Sequence, residues 1–147
     1  MIDFAGLTKA ARTDGIGRLV VGVIVPRGDG ILILQRKPDD FMPNIYELPS
    51  GAVEARETLP EAVARELREE TGLDASGIVG YLGHFDYVSG SGTSTRQLNF
   101  VVVVLEFNEI VHPEHTAAAW VGAATLDDYP VTDASRRVIQ RYFDTRG

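Results

Sequence analysis

The 147-residue chain contains no cysteine. That excludes disulfides and any thiol nucleophile, but leaves the compartment open, since disulfide-free proteins occur everywhere. It also lacks an apolar run near the ~18 residues of a membrane helix, and its N-terminus has no signal-like apolar stretch. A soluble, cytoplasmic protein is the expected class. Positive charge is scarce: 14 Lys and Arg against 21 Asp and Glu leave a net charge of −7, and a broad nucleic-acid surface, which depends on clustered basic residues, is not expected. His112 and His115 bracket an acid, yet no third nitrogen or sulfur ligand stands near them in sequence, so they do not read as a zinc site. Repeats, low-complexity tracts and linkers are missing too. With 44% hydrophobic residues the chain can bury one core, and a single domain over 1–147 is expected, its first 17 residues an irregular N-terminal arm with a short helix at most.

What the chain does have is the stretch Gly51–Leu73, GAVEARETLPEAVARELREETGL. Thr58 and Glu61 form a capping-box pair, Pro60 falls within the first turn, and Leu59, Val63 and Leu67 recur every fourth residue. Gly72 stands where a left-handed residue ends a helix. At ~100° per residue, Glu66 and Glu70 project onto the buried stripe of that helix, with Glu69 at its edge. An ordinary charged helix face explains Glu61 and Glu69, each four residues from Arg65. It does not explain Glu66 and Glu70, which have no basic residue three or four positions away. Two carboxylates ~6 Å apart repel by roughly 3 kcal/mol at an effective dielectric of about 20. With no lysine or arginine placed locally between them, a hard divalent cation held by oxygen ligands is the economical counter-charge.

Gly51, Glu57, Arg65, Glu66, Leu67, Glu69, Glu70, Gly72 and Leu73 carry a fixed-gap pattern that resembles the signature of the Nudix, or MutT-like, hydrolases. The resemblance implies an α/β Nudix fold, with a mixed, partly barrel-like sheet sandwiched between helices. It also implies Mg²⁺-dependent hydrolysis, Mn²⁺ being an alternative ion, of a nucleoside diphosphate linked to another group; a small-molecule nucleotide would be the partner. Gly51 (through its carbonyl), Glu66, Glu69 and Glu70 are the implied metal ligands. Glu66 or Glu69, then Glu114, are candidates for the base, Arg65 would orient Glu69, and Glu57 would be structural. Arg36 would lie near the substrate phosphates; apart from the resemblance, Arg96, like His84 and Asp86, could reach substrate or be an ordinary surface group. The missing cysteine argues against the isopentenyl diphosphate isomerases of the superfamily, and an acidic protein facing an acidic polyphosphate fits a metal-bridged complex. Ser50 departs from the second glycine that many relatives carry. Nucleoside triphosphates are the favoured substrates, because the chain is short. A non-catalytic module that senses a nucleotide is the competing reading, and the oligomeric state stays open, a homodimer included.

Elsewhere the pattern predicts a hairpin of Leu19–Val25 and Ile31–Arg36, and a short strand at Ile45–Leu48. A long hairpin, Ile78–Val88 with Gln97–Phe107, should carry a central segment, Phe100–Leu105, buried on both faces. A strand at Ala118–Val121 follows. The last helix should be capped by Thr132 or Asp133 and bury Ala134, Val138, Ile139, Tyr142 and Phe143. Phe85, Tyr87 and Phe100 are aromatic strand residues that suit a core better than a base-stacking site.

Overall fold

The computed structural model describes residues 1–39, 43–110 and 115–146. In chain order these form α1 (Phe4–Thr13), β1 (Arg18–Ile24), β2 (Pro26–Arg27), β3 (Gly30–Arg36), β4 (Tyr46–Glu47), β5 (Ser50–Ala52) and α2 (Leu59–Thr71), then β6 (Gly77–Val88), β7 (Ser94–Val103), β8 (His115–Val121) and α3 (Asp133–Arg146). Among these residues no helix is long and apolar enough to cross a membrane.

The signature helix α2 begins and ends where its sequence dictates. The Glu61 N–H donates to the Thr58 hydroxyl at 3.2 Å and the Thr58 N–H donates to the Glu61 carboxylate at 2.9 Å, so two of the helix-end donors are satisfied reciprocally. Gly72 closes the helix at φ 77°, its N–H bonded to the Arg68 carbonyl. Leu59, Ala62, Val63 and Leu67 are buried. They pack on Val21 and Val23 of β1, Leu32 and Leu34 of β3, and Leu98, Phe100 and Val102 of β7.

Two four-stranded sheets carry the fold: β5-β1-β7-β6, and β2-β3-β4 with β8 on the other edge of β3. The first is mixed, because β1 runs parallel to β7 while its remaining neighbours are antiparallel. Alternation along β1 and β7 sends Val23, Leu98 and Phe100 toward α2 and Ile24 and Val101 into a second core. In that core Val138, Ile139 and Tyr142 of α3 cover Ile31, Ile33, Leu48 and Val121. Sheets between a signature helix and a C-terminal helix are the expected layering.

Three local expectations change. Leu19–Val25 and Ile31–Arg36 do not pair with each other; β1 takes β5 and β7 as neighbours, and the hairpin turn belongs to β2 and β3. The chain crosses between sheets at the buried Val25, whose carbonyl still accepts from the Leu32 N–H. Strand β7 is buried from Thr95 to Val102 but ends at Val103, leaving Leu105 77% exposed. The reason lies in its neighbours: β1 runs out opposite Val101 and β6 begins opposite Val103, so no backbone remains to pair beyond. Finally, the N-terminal arm, expected to hold a short helix at most, is helical over Phe4–Thr13 and is packed down. Asp3 caps it, and Ile2, Phe4 and Leu7 pack on the α2 core, with the Phe4 ring centroid 5.7 Å from that of Phe100.

The end of α1 is tied down by charge. Arg96 of β7 pairs with Asp86 of β6 through Nε and Nη2 at 2.8 and 3.0 Å and reaches Asp14, just past α1, at 3.0 Å. The guanidinium holds the Asp86 carboxyl below its ordinary 3.8. A depressed folded-state value contributes stability that is full above the unfolded value and is lost as pH falls through the folded one. Asp86→Asn should therefore lower the melting temperature at pH 7 and flatten its decline below about pH 4, measured by thermal melts across pH. Thr58→Ala should cost about 1 kcal/mol, a fall of about 3 °C in melting temperature.

Candidate active site

The helix α2 and the β5 loop converge at one end of a cleft of about 750 Å³. Glu66 and Glu70 are 8% and 6% exposed, on the face of α2 that meets β5. The Ser50 N–H donates to Glu70 Oε1 at 3.0 Å, and the Glu66 carboxylate lies directly over Gly51, where a methyl group would overlap it. Gly51 is thus required by close approach. Glu69 points outward, its side chain 59% exposed. Among the described residues no three acidic or imidazole side chains form a ready-made metal cage. Glu70 lines this end of the cleft, and the buried Glu66 carboxylate is pressed against the adjoining Gly51 loop. The hard oxygen chemistry and close cradle of this pair fit a divalent cation of the Mg²⁺ type.

Arg65 is the organiser of this corner. Its Nε and Nη2 grip the two oxygens of Glu57 at 2.6 and 2.9 Å, Nη2 also donates to the Ala52 carbonyl at 2.8 Å, and Nη1 donates to Glu66 at 2.7 Å and Glu69 at 3.2 Å. The fork fastens the loop before the helix to the helix itself. The hydrogen bond from Arg65 holds the Glu57 carboxyl below its usual range, while Glu57, then Glu66, raise the Arg65 guanidinium further. One expectation is corrected here. A local cation does reach Glu66, because Arg65 curls back to its immediate neighbour, a contact that counting three or four residues along a helix cannot find. The expected Arg65–Glu69 ion pair is present, at 3.2 Å the longest of these hydrogen bonds.

Next to Glu70 runs a second polar chain. Arg36 donates to Glu47 Oε1 at 2.9 Å, His115 Nε2 donates to Glu47 Oε2 at 2.8 Å, and His115 Nδ1 lies 3.8 Å from Glu70 Oε2. Four elements supply it: β3, β4, β8 and α2. With the Glu47 carboxylate as acceptor, the imidazole proton belongs on Nε2. Arg36, Glu47, Glu70 and His115 all line the cleft. Arg96 does not appear on its wall; it lies on the opposite face of β7, committed to Asp86 and Asp14. Glu114, expected in the loop before β8, lies outside the described residues.

The far end of the cleft is walled by Phe85 and Tyr87, ring centroids 6.1 Å apart, with Gln97 beside them and Ser135 and Arg137 of α3 opposite. Phe100 is wholly buried in the α2 core between Phe4 and Tyr81. Sequence reasoning missed Glu47, Gln97 and Arg137. Only the alternation of β7, which puts Gln97 and Asn99 on one face of a buried strand, could have flagged any of them.

A family model, the NUDIX domain, matches residues 17–142. The chain belongs to the Nudix family. A putative 8-oxo-dGTP diphosphatase 2 of Mycobacterium tuberculosis is 35% identical over 82% of this chain and 84% of its own length. The CTP pyrophosphohydrolase of Escherichia coli is 28% identical, covering 86% and 92%. Among solved structures, that of the E. coli ORF135 protein superposes with a TM-score of 0.73 at 27% identity, covering 88% and 91%. The Nudix family brings its fold and a reaction class, pyrophosphohydrolysis of nucleoside phosphates, generally with a divalent metal.

Because a Cβ at Gly51 must displace the Glu66 carboxylate, Gly51→Ala should weaken divalent-cation binding by on the order of 10- to 100-fold. A melting-temperature titration with the cation measures it, and unchanged affinity would mean that Glu66 takes no part in the site.

Proposed function

We propose that this Nudix protein is a Mg²⁺-dependent hydrolase of nucleoside triphosphates. The observation that supports it is the buried Glu66–Glu70 pair against the Gly51 loop, with Gly51 and Glu70 lining a cleft that Phe85 and Tyr87 also wall. Such a cleft suits a ligand with a polyphosphate at one end and a flat ring at the other. The names of the M. tuberculosis and E. coli relatives, both referring to nucleoside triphosphates, support the same substrate class.

Glu66, Glu70 and the Gly51 carbonyl would hold the cation, with Glu69 able to swing in from the surface. A bound Mg²⁺ supplies neutralisation of the diphosphate charge and acidification of a water. Arg36, steadied by Glu47, offers its guanidinium to a phosphate oxygen, and Arg137 brings positive charge to the opposite wall. Glu66 or Glu69 takes the proton from the attacking water, with Glu114 next in line. Arg65 keeps Glu66 in place and lets the loop and helix move as one body. The cleft admits a small nucleotide, and a net charge of −7 disfavours a long nucleic acid.

Product analysis with Mg²⁺ and a panel of nucleoside triphosphates and nucleoside diphosphate conjugates tests this. Selective, metal-dependent release of a nucleoside phosphate is expected, with kcat reduced at least about a hundredfold in Glu66→Gln and in Glu70→Gln. Near-normal turnover in both variants would refute the assignment, and ligands bound but recovered unchanged would make the protein a nucleotide-sensing module.

A further inference from the structure

One buried polar group near the cleft is unexplained by the chemistry above. Gln97 and Asn99 stand on the face of β7 that continues into the α3 core, 8% and 0% exposed, in positions where two apolar residues would pack at no desolvation cost. The fold makes room for them. Across the register they meet Val20 and Gly22 of β1, and any side chain at Gly22 would overlap both amides. On the other side, β6 bulges between Tyr81 and His84, where Gly83 adopts φ 82° and presents its carbonyl to Asn99.

These contacts fix which way each amide faces. The Gly83 carbonyl can only accept, so the atom of Asn99 that meets it at 3.1 Å is Nδ2. Asn99 Oδ1 is then an acceptor, and the atom of Gln97 that meets it at 2.9 Å must be the donor Nε2. A backbone carbonyl thereby orients two side chains in series. What remains is Gln97 Oε1, on a residue that lines the cleft beside Phe85, its register partner. In register, Ala52, Val20 and Gln97 lie in line across β5, β1 and β7. Gln97 is therefore two strand spacings, about 9.5 Å, from the glycine loop.

We propose that Gln97 Oε1 is a fixed hydrogen-bond acceptor that selects nucleobases with an amino group at pyrimidine C4 or purine C6, cytosine or adenine, over their counterparts with an oxo group at that position, uracil and hypoxanthine. This rests on the nucleotide reading of the cleft. An oxo group would set carbonyl against carbonyl, and the pinned amide cannot turn over to offer Nε2 without breaking its bond to Asn99. Gln97 touches the base in this assignment; Asn99 is a positioning residue that acts through it.

The experiment compares CTP with UTP and ATP with ITP, pairs that differ by amino for oxo at one ring position, as kcat/KM with Mg²⁺ and as Kd for their α,β-methylene analogues. A preference for the amino member on the order of ten- to a hundredfold is expected in at least one pair. Gln97→Met should bring that ratio to within about threefold of unity. Asn99→Leu should do the same with Gln97 still present, because the released amide can offer either atom. Each ratio is taken on one protein sample, so partial misfolding of a variant cancels. A wild-type ratio near one in both pairs, or a ratio that survives Gln97→Met, overturns the assignment while leaving the hydrolase intact. If no triphosphate is turned over, the hydrolase reading fails and the Kd ratios decide the base assignment alone.

Discussion

Two carboxyl groups buried side by side are the constraint on which the rest of the molecule depends. Glu66 and Glu70 sit one helical turn apart with almost no access to bulk water. Left alone that arrangement is unfavourable, and much of the surrounding structure offsets it. The Ser50 N–H takes one oxygen of Glu70, Arg65 takes one of Glu66, and the glycine loop gives the Glu66 carboxylate space that no other residue would leave. Each compensation requires β5 to lie against α2 within a fraction of an ångström. That contact is in turn held by the Arg65 fork to Glu57 and Ala52. Carboxyl burial thus dictates loop geometry, and the hydrophobic packing of α2 on β1 supplies the platform.

The signature region was legible because its signals are local. A capping box, a proline in the first turn, a four-residue apolar repeat and a terminal glycine all act within one helix, so α2 could be drawn to its last residue. The burial of Glu66 and Glu70 followed from the same periodicity. Family resemblance added the layering of sheets and helices, which no periodicity could supply. Strand partners were harder to read. The β1–β3 hairpin looked natural because adjacent apolar runs separated by a turn usually pair, yet β1 instead lies parallel to β7, more than seventy residues away. Where β7 ends was equally hidden, since it depends on the lengths of two neighbours rather than on the apolar run itself.

Within the site, residues that act through others escaped sequence reasoning. Glu47 looks like any strand-end acid until Arg36 and His115 are seen on its two oxygens. Arg96 was open to a substrate or a surface role because nothing near it in sequence pairs with it; its two aspartate partners come from an adjacent strand and from the end of the N-terminal helix. The extent and docking of the N-terminal helix were hidden for a related reason: its stability comes from Phe4 on Phe100 and Asp14 on Arg96, long-range contacts that leave no periodic trace in so short a segment.

The two-residue alternation of β7 has an evolutionary consequence. Its even positions, Arg96, Leu98, Phe100 and Val102, anchor α1 and α2, whereas its odd positions lie on the other face, where Gln97 lines the cleft and Asn99 is buried behind it. Recognition and folding are therefore written on the same ten residues in two interleaved alphabets. Mutational drift in one need not corrupt the other, so a descendant could acquire a new nucleobase preference through a single odd-position change while inheriting its scaffold intact.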